Sequence, residues 1–491
     1  MTIPSLPLLL LVVACFPVLA LGALLRSSLG LGLLLAALPL LSLSRRLFPD
    51  GSVLFPSLES LAVLVVCICV VFRKLGNARF RENSPGTPGV SAFVKVALAV
   101  FLLAGVASSL TSEDPQLSLR IVFCGGIVPL LVFWLATQIE RNSTDVRHIL
   151  FGFLALALQT GVYAALTFTQ RQAVMPGERE LYAWMYSEAN PVKLFVVPSV
   201  AVSVIVPAIP LSVWYWQYHR AHDARANRIS DAVVCLLVIA GVALATVLSL
   251  SRGSWLGIGV ALLGCVPLLL RRARARNLTL LAGAGLLLYF SGVFDLARSA
   301  FSFRLAAGQG LQSTAVRHAN LLLVMQSIPR HLLAGVGLGQ YPAVYGEFPG
   351  ALASLMPPLW FAHNLVLTLV PEIGLVGAVA FTSVLAHGIA EGVRRSGLRS
   401  GDAAETAWAW LRYALSVGVV SYLAIALTAG AHLITYLDVQ GPGSTHFMST
   451  GLIVVFLLLG SVTALARVER RDAVPEPAEQ NDGHESSICN V

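Results

Sequence analysis

The chain has 491 residues, of which 56% are hydrophobic and only 12% charged. A soluble domain carries about a quarter charged residues, so this composition excludes a water-soluble globule. The formal net charge of +8 is what basic cytoplasmic anchors produce, and it does not by itself point to a nucleic-acid partner.

Taken in chain order, apolar runs of roughly 17 to 25 residues, long enough to cross a bilayer, recur from end to end. They predict spans near 5–25, 27–44, 54–72, 92–110, 121–138, 149–168, 194–217, 232–250, 254–270, 278–294, 364–389, 407–428 and 449–466. Only Arg26 separates the first two, so the count is twelve or thirteen. The fold class is therefore an all-α polytopic integral membrane protein. Residues 1–471 form one transmembrane helical domain without an internal repeat, and 472–491 form a disordered cytoplasmic tail. The opening "MTIPSLPLLLLVVACF" has no positive n-region and reads as a retained helix. Cys15, Cys67, Cys69, Cys124, Cys235 and Cys265 lie inside spans, where a thiol behaves as a small hydrophobe. Cys489 lies one position too late for a prenylation box. No disulfide framework or metal-ligand spacing is visible.

Lys and Arg mark cytoplasmic loops. The basic stretches are 73–81, 140–148, 219–228, 271–276, 391–399 and 467–471, and from 73 onward they fall on alternate loops. The opposite side receives 111–120, 170–193, the tight turn "SRGS" at 251–254, a long loop at about 295–363 containing short helices, and 430–446. With thirteen spans this alternation requires the N-terminus to lie on the outer side.

Arginine is disfavoured in short translocated loops. Arg252 nevertheless sits in the outer turn, and Arg298, Arg304, Arg317 and Arg330 sit in the long outer loop against only Asp295 and Glu347. A snorkelling arginine is the bland explanation for one of these; the imbalance as a whole points to an anionic ligand. The segment 313–341 reads as an amphipathic helix along the membrane surface, with Val316, Leu321, Val324 and Ile328 on its apolar face. It ends at Pro329 and is followed by the glycine-rich turn "GVGLGQY". That turn has neither the strand nor the helix of a dinucleotide fingerprint. His318 stands beside Arg317. Then comes "HNLVLTLVPEIGLVG", residues 363–377. His363 stands at the outer mouth of a helix. Glu372 lies deeper and is costly unless paired or hydrated. Gly374 and Gly377 permit close helix approach.

His-Asn, nine residues, then Gly-x-x-Gly resembles the signature of the O-antigen ligase family, which also contains O-antigen polymerases and some protein O-oligosaccharyltransferases. "SLSRGSWLG" (249–257) is similar to the family's Ser-Arg-Gly turn, and "SIPRHLLAGVGLGQY" (327–341) resembles its Pro-x-x-Gly-x-Gly element with an insertion after Pro329. The resemblance covers roughly residues 190 to 385.

It implies a metal-independent, inverting membrane glycosyltransferase of the bacterial inner membrane with its active site facing the periplasm, acting in lipopolysaccharide biosynthesis. The donor is an undecaprenyl diphosphate-linked glycan. The acceptor is lipid A–core for a ligase, or a lipid-linked repeat unit for an O-antigen or exopolysaccharide polymerase. No cofactor and no nucleic acid is implied, and membrane lipids are the remaining partners. By position, the catalytic residues are His363, Arg252 and Arg317. Asn364, His318 and Arg304, with both arginines, are expected to bind substrate, and Glu372, Gly374 and Gly377 to support the site. Those residue types suit the chemistry. Arginine forks hold phosphate oxygens in bidentate fashion and never deprotonate, and a histidine titrating near neutrality can take the proton of an attacking hydroxyl. A protein O-oligosaccharyltransferase and a lipid or polysaccharide transporter have less in the sequence to carry them. Transporters commonly show repeated halves and midplane charges, which are not seen here.

Overall fold

The computed structural model describes residues 6–42, 58–78, 90–139, 143–172, 198–222, 225–248, 251–270, 309–346, 364–394, 403–428, 435–438, 445–448 and 450–472. In chain order the helices are α1 Leu6–Leu25, α2 Ser27–Ser42, α3 Leu58–Ala78, α4 Ala92–Leu110, α5 Pro115–Val122, α6 Val128–Ala136, α7 Ser143–Gln172, α8 Pro198–Ile205, α9 Ala208–His222 and α10 Arg225–Leu248. They continue with α11 Arg252–Leu270, α12 Gln309–His331, α13 Tyr341–Gly346, α14 Leu365–Val393, α15 Ala403–Ala426 and α16 Thr450–Asp472. Between α15 and α16, β1 Thr435–Asp438 and β2 Thr445–Met448 pair antiparallel, Thr435 opposite Met448. This hairpin departs from a purely helical expectation.

Five helices among the described residues are long and apolar enough to cross a membrane: Ala92–Leu110, Pro115–Ala136, Arg252–Leu270, Leu365–Val393 and Thr406–Ala426. Shorter apolar helices cover Leu10–Leu25, Ser27–Leu41, Ala232–Thr246 and Leu452–Leu465. These are the elements of a membrane-embedded helical protein. Leucines such as Leu103, Leu236 and Leu263 stay exposed, which only an apolar solvent tolerates in such number.

Several boundaries differ from expectation. The outer loop at 111–120 is shorter, because Pro115 occupies the first turn of α5 and Asp114 caps it by accepting from the Leu117 N–H at 3.0 Å; proline is preorganised for that position. A π-helical segment, Phe123–Ile127, joins α5 to α6 around Gly125 and Gly126. The span expected at 194–217 is divided into α8 and α9 at Val206 and Pro207. Helix α12 continues two residues past Pro329 and is a 23-residue helix where short ones were expected. Residues 278–294, the two ends of the expected loop at 295–308 and 347–363, and the tail beyond Asp472 lie outside the described residues.

The helices define two ends. At one, Lys74 donates to Gln138, Arg26 pairs with Asp145 at 3.5 Å, and Arg412 donates to the Arg394 carbonyl at 2.9 Å. A shared cavity lined by Ile139, Val146, Leu411 and Leu465 ties these contacts together. All of them flank basic stretches. Ser28, in the first turn of α2, donates to Asp145 at 2.7 Å. Gly30 packs on Ala23, so α1 and α2 are antiparallel, and α1 begins at the opposite end. Helix α4 connects the two ends and runs antiparallel to α14. Phe93 meets His387 and Phe101 meets Phe381, and Ala104 meets Gly377.

Candidate functional site

The site elements gather at the end opposite the basic stretches, and a break in α14 organises them. Pro371 has no N–H to give the helix, and Gly374 has φ 74 and ψ 168, a region essentially reserved for glycine. The interruption frees carbonyls that an unbroken helix would occupy, and buried backbone groups must find other partners.

They find them in the glycine-rich turn. Val336 N–H donates to the Pro371 carbonyl at 2.8 Å, and Gly337 N–H to the Glu372 carbonyl at 2.9 Å. Leu375 N–H in turn donates to the Leu332 carbonyl at 2.8 Å. Gly335, Gly337 and Gly339 all have positive φ. A Cβ at Gly335 would collide with the Glu372 backbone, and one at Gly337 with Ser112 and Ser118. The alternating glycines let the turn run flush between the break in α14 and the end of α4.

Glu372 is 4% exposed. Its carboxylate accepts the backbone N–H groups of Gly339 and Tyr341, and one oxygen keeps no hydrogen-bond partner. Among the described residues neither arginine nor histidine forms an ion pair with it; the partners it has there are the N–H groups of the glycine turn. A glycine-rich turn with free N–H groups can cradle phosphate. Here an internal carboxylate and two carbonyls already take most of those donors. Gly374 is the helix break itself; Gly377 is the close-packing glycine, against Ala104 of α4.

Asn364 caps α14. Its Oδ1 accepts from Val366 and Leu367 N–H at 3.0 and 3.1 Å, and its Nδ2 donates to the Leu427 carbonyl at 3.0 Å. The side chain expected to bind substrate is thus committed to a cap and to a tie onto the end of α15. Arg252, expected in the middle of a turn, is the first residue of α11, with Ser251 before it accepting from the Ser254 N–H at 3.4 Å. Helix α11 runs antiparallel to α15, Gly257 on Ile425 and Gly264 on Val417. The N-termini that carry Arg252 and Asn364 therefore both meet the last turn of α15. Arg252 is half-buried, and no hydrogen bond or ion pair joins its guanidinium to a described residue.

Arg317 is half-buried on α12, and His318 beside it is exposed. The buried stripe of α12 is Asn320, Leu323, Val324 and Ser327, at the i, i+3, i+4, i+7 spacing of one face. Leu321, expected on that face, is instead exposed with Leu322 and Met325. Leu323 and Val324 cluster with Val336, Tyr341 and Val344, and Leu367 of α14 packs on that cluster. Leu332 is held at Leu375, so α12 runs parallel to the first segment of α14, and Arg317, two turns before Val324, lies toward the Asn364 end.

The structure thus brings Arg252, Arg317 and Asn364 to one end, with Glu372, Gly374 and Gly377 behind them. His318 faces outward. His363 and Arg304 lie outside the described residues. Sequence reasoning missed Asn320 and Tyr341, whose hydroxyl donates to Asn320 Oδ1 at 3.2 Å while both residues are fully buried. A polar residue on the buried face of an amphipathic helix, one turn after Arg317, was the available signal. No model of a known protein family matches the chain, and no curated protein matches it.

Proposed function

We propose that this chain is a glycosyltransferase that moves a glycan from an undecaprenyl diphosphate carrier to a sugar hydroxyl at the outer face of a bacterial inner membrane, as an O-antigen ligase joining O-antigen to lipid A–core. The observation that carries the reading is the assembly of three distant sequence elements at one end. The glycine turn binds the break in α14, and the helix starts bearing Arg252 and Asn364 meet the end of α15. A second support is charge. Arg252 stands half-buried at a helix N-terminus without an acidic partner among the described residues. That local field favours an anion.

In this reading the acceptor hydroxyl oxygen attacks the anomeric carbon as the bond to the diphosphate oxygen breaks. The electron pair leaves with undecaprenyl diphosphate, the hydroxyl proton passes to His363, and the configuration inverts. Arg252 and Arg317 hold the growing phosphate charge, since stabilising charge that develops in the transition state is usually the largest catalytic contribution. His363, which precedes Asn364 in the chain, contributes in the roughly hundred- to ten-thousandfold range of general-base catalysis.

A strain with the gene deleted, complemented by wild type or by His363→Ala, tests it. Polymers stranded on the lipid carrier beside bare lipid A–core in the deletion and in His363→Ala support a ligase. Single repeat units capping the core indicate a polymerase instead, and normal profiles of both would refute the proposal.

A further inference from the structure

We infer that Tyr341 and Asn320 are positioning residues for Arg317, and that the break in α14 sets where this arginine stands. The inference rests on Arg317 being a diphosphate ligand, as proposed above.

The chain of contacts is continuous. The break at Gly374 exposes the carbonyls of Pro371 and Glu372, which hold Val336 and Gly337. The Glu372 carboxylate then takes the N–H of Gly339 and Tyr341, fixing the residue that opens α13. The Tyr341 hydroxyl reaches Asn320 Oδ1 at 3.2 Å, and Asn320 lies one turn from Arg317 on the buried face of α12. Farther along this face Leu323 and Val324 pack with Val336 and Val344, and the Ser327 hydroxyl turns back to its own helix at the Val324 carbonyl, 2.8 Å away. Aliphatic packing excludes water but resists sliding poorly, because neighbouring leucines and valines can interdigitate at more than one register. A directional hydrogen bond between two fully buried groups selects one register, since every other register leaves a phenol and an amide unpaired. Asn320 Nδ2 already lacks a partner, so Asn320 is not placed here by satisfying all its own groups. Its Oδ1 bond to Tyr341 is a buried polar tie between α12 and the residue that opens α13. Such a tie matters most for a group that must meet a ligand at fixed distance, because misplacement by about 1 Å can cost on the order of a hundredfold.

The test uses purified full-length protein in detergent with undecaprenyl diphosphate itself as the probe, measuring its affinity for wild type, Tyr341→Phe, Arg317→Ala and the double variant. Tyr341→Phe keeps the ring and removes only the hydroxyl, and its thermal unfolding is followed in parallel. The expected result is a roughly tenfold loss of affinity in Tyr341→Phe, the scale of one misplaced charge-assisted contact. A larger loss is expected in Arg317→Ala, with no further loss in the double variant, because a residue that acts through Arg317 has nothing left to position. Asn320→Asp, which retains an oxygen acceptor for the phenol, should preserve the affinity. An unchanged Tyr341→Phe beside a weakened Arg317→Ala overturns the inference and leaves the functional reading intact. Equal losses from Tyr341→Phe with and without Arg317 also overturn it, assigning the phenol a purely structural part. Unchanged affinity in Arg317→Ala overturns the diphosphate reading itself.

Discussion

Replacing Gly374 by alanine should do far more damage than its size suggests. The backbone there stands at φ 74 and ψ 168, which costs a residue with a Cβ about 1–3 kcal/mol. The added methyl group would also collide with the Leu333 carbonyl, with the Leu332 carbonyl only 3.0 Å away. Moving the chain to relieve this threatens the Leu375 bond to Leu332 and the Val336 and Gly337 bonds to α14, each contributing about 0.5–1.5 kcal/mol net. With the strain and one such bond lost, the expected cost is about 3 kcal/mol. Gly259 is the internal control: it lies in α11 with nothing within 4 Å of an added Cβ, so Gly259→Ala should gain about 0.5–1 kcal/mol. The assay is the fraction of detergent-solubilised protein that stays monodisperse on size exclusion after heating, with glycan transfer measured on the surviving fraction. Gly374→Ala should lose both folded protein and transfer, while Gly259→Ala keeps both. If the two alanine variants heat alike, the helix break does not hold the glycine turn and the reasoning fails.

Three further outcomes follow from the same contacts. Arg252→Lys should lose most transfer activity at a normal protein level, because a point charge cannot reproduce a planar fork; full turnover in that variant would remove Arg252 from the site. Asn364→Ala should cost about 1 kcal/mol as a lost cap, and rather more here because the tie to Leu427 goes with it; an unchanged unfolding midpoint would contradict the assigned capping. Glu372→Ala should deplete folded protein by orphaning two N–H groups, while Glu372→Gln, still offering an oxygen acceptor, should come close to wild type in amount. Equal depletion of both variants would mean that the charge, not the acceptor, is what the turn requires.

Much of this was legible in the sequence, for identifiable reasons. Apolar run length located α4, α11, α14 and α15 because a bilayer demands it. Asp114 before Pro115 carried a start signal for α5, yet the charged string "SEDP" reads equally as loop. Pro329 was expected to end a helix, but it stands only two residues from the end of α12, where the interrupted bonds belong to a final turn already giving way to the glycine segment. The break at Gly374 was harder to see. Pro371 and Gly374 together hinted at it, but close packing explained the glycine as well, and only a φ value separates the two. The buried face of α12 was misjudged at Leu321 because tertiary contact with Tyr341 and Leu367 selects the neighbouring face through Asn320, which no hydrophobic pattern ranks as core. Glu372 reads in the sequence as a carboxylate that is costly unless paired or hydrated, whereas backbone N–H groups brought from about thirty residues away bind it, and sequence has no marker for that.

The most direct test of the proposed function is transfer by purified protein. The donor is undecaprenyl diphosphate-linked glycan, the acceptor is lipid A–core, and the readouts are the joined product and the freed carrier diphosphate. Wild type should release carrier diphosphate only when acceptor is present, in step with product, and His363→Ala should bind donor yet form no product at a normal protein level. Product formation undiminished in His363→Ala, or no transfer by wild type to any sugar acceptor, would contradict the glycosyltransferase reading.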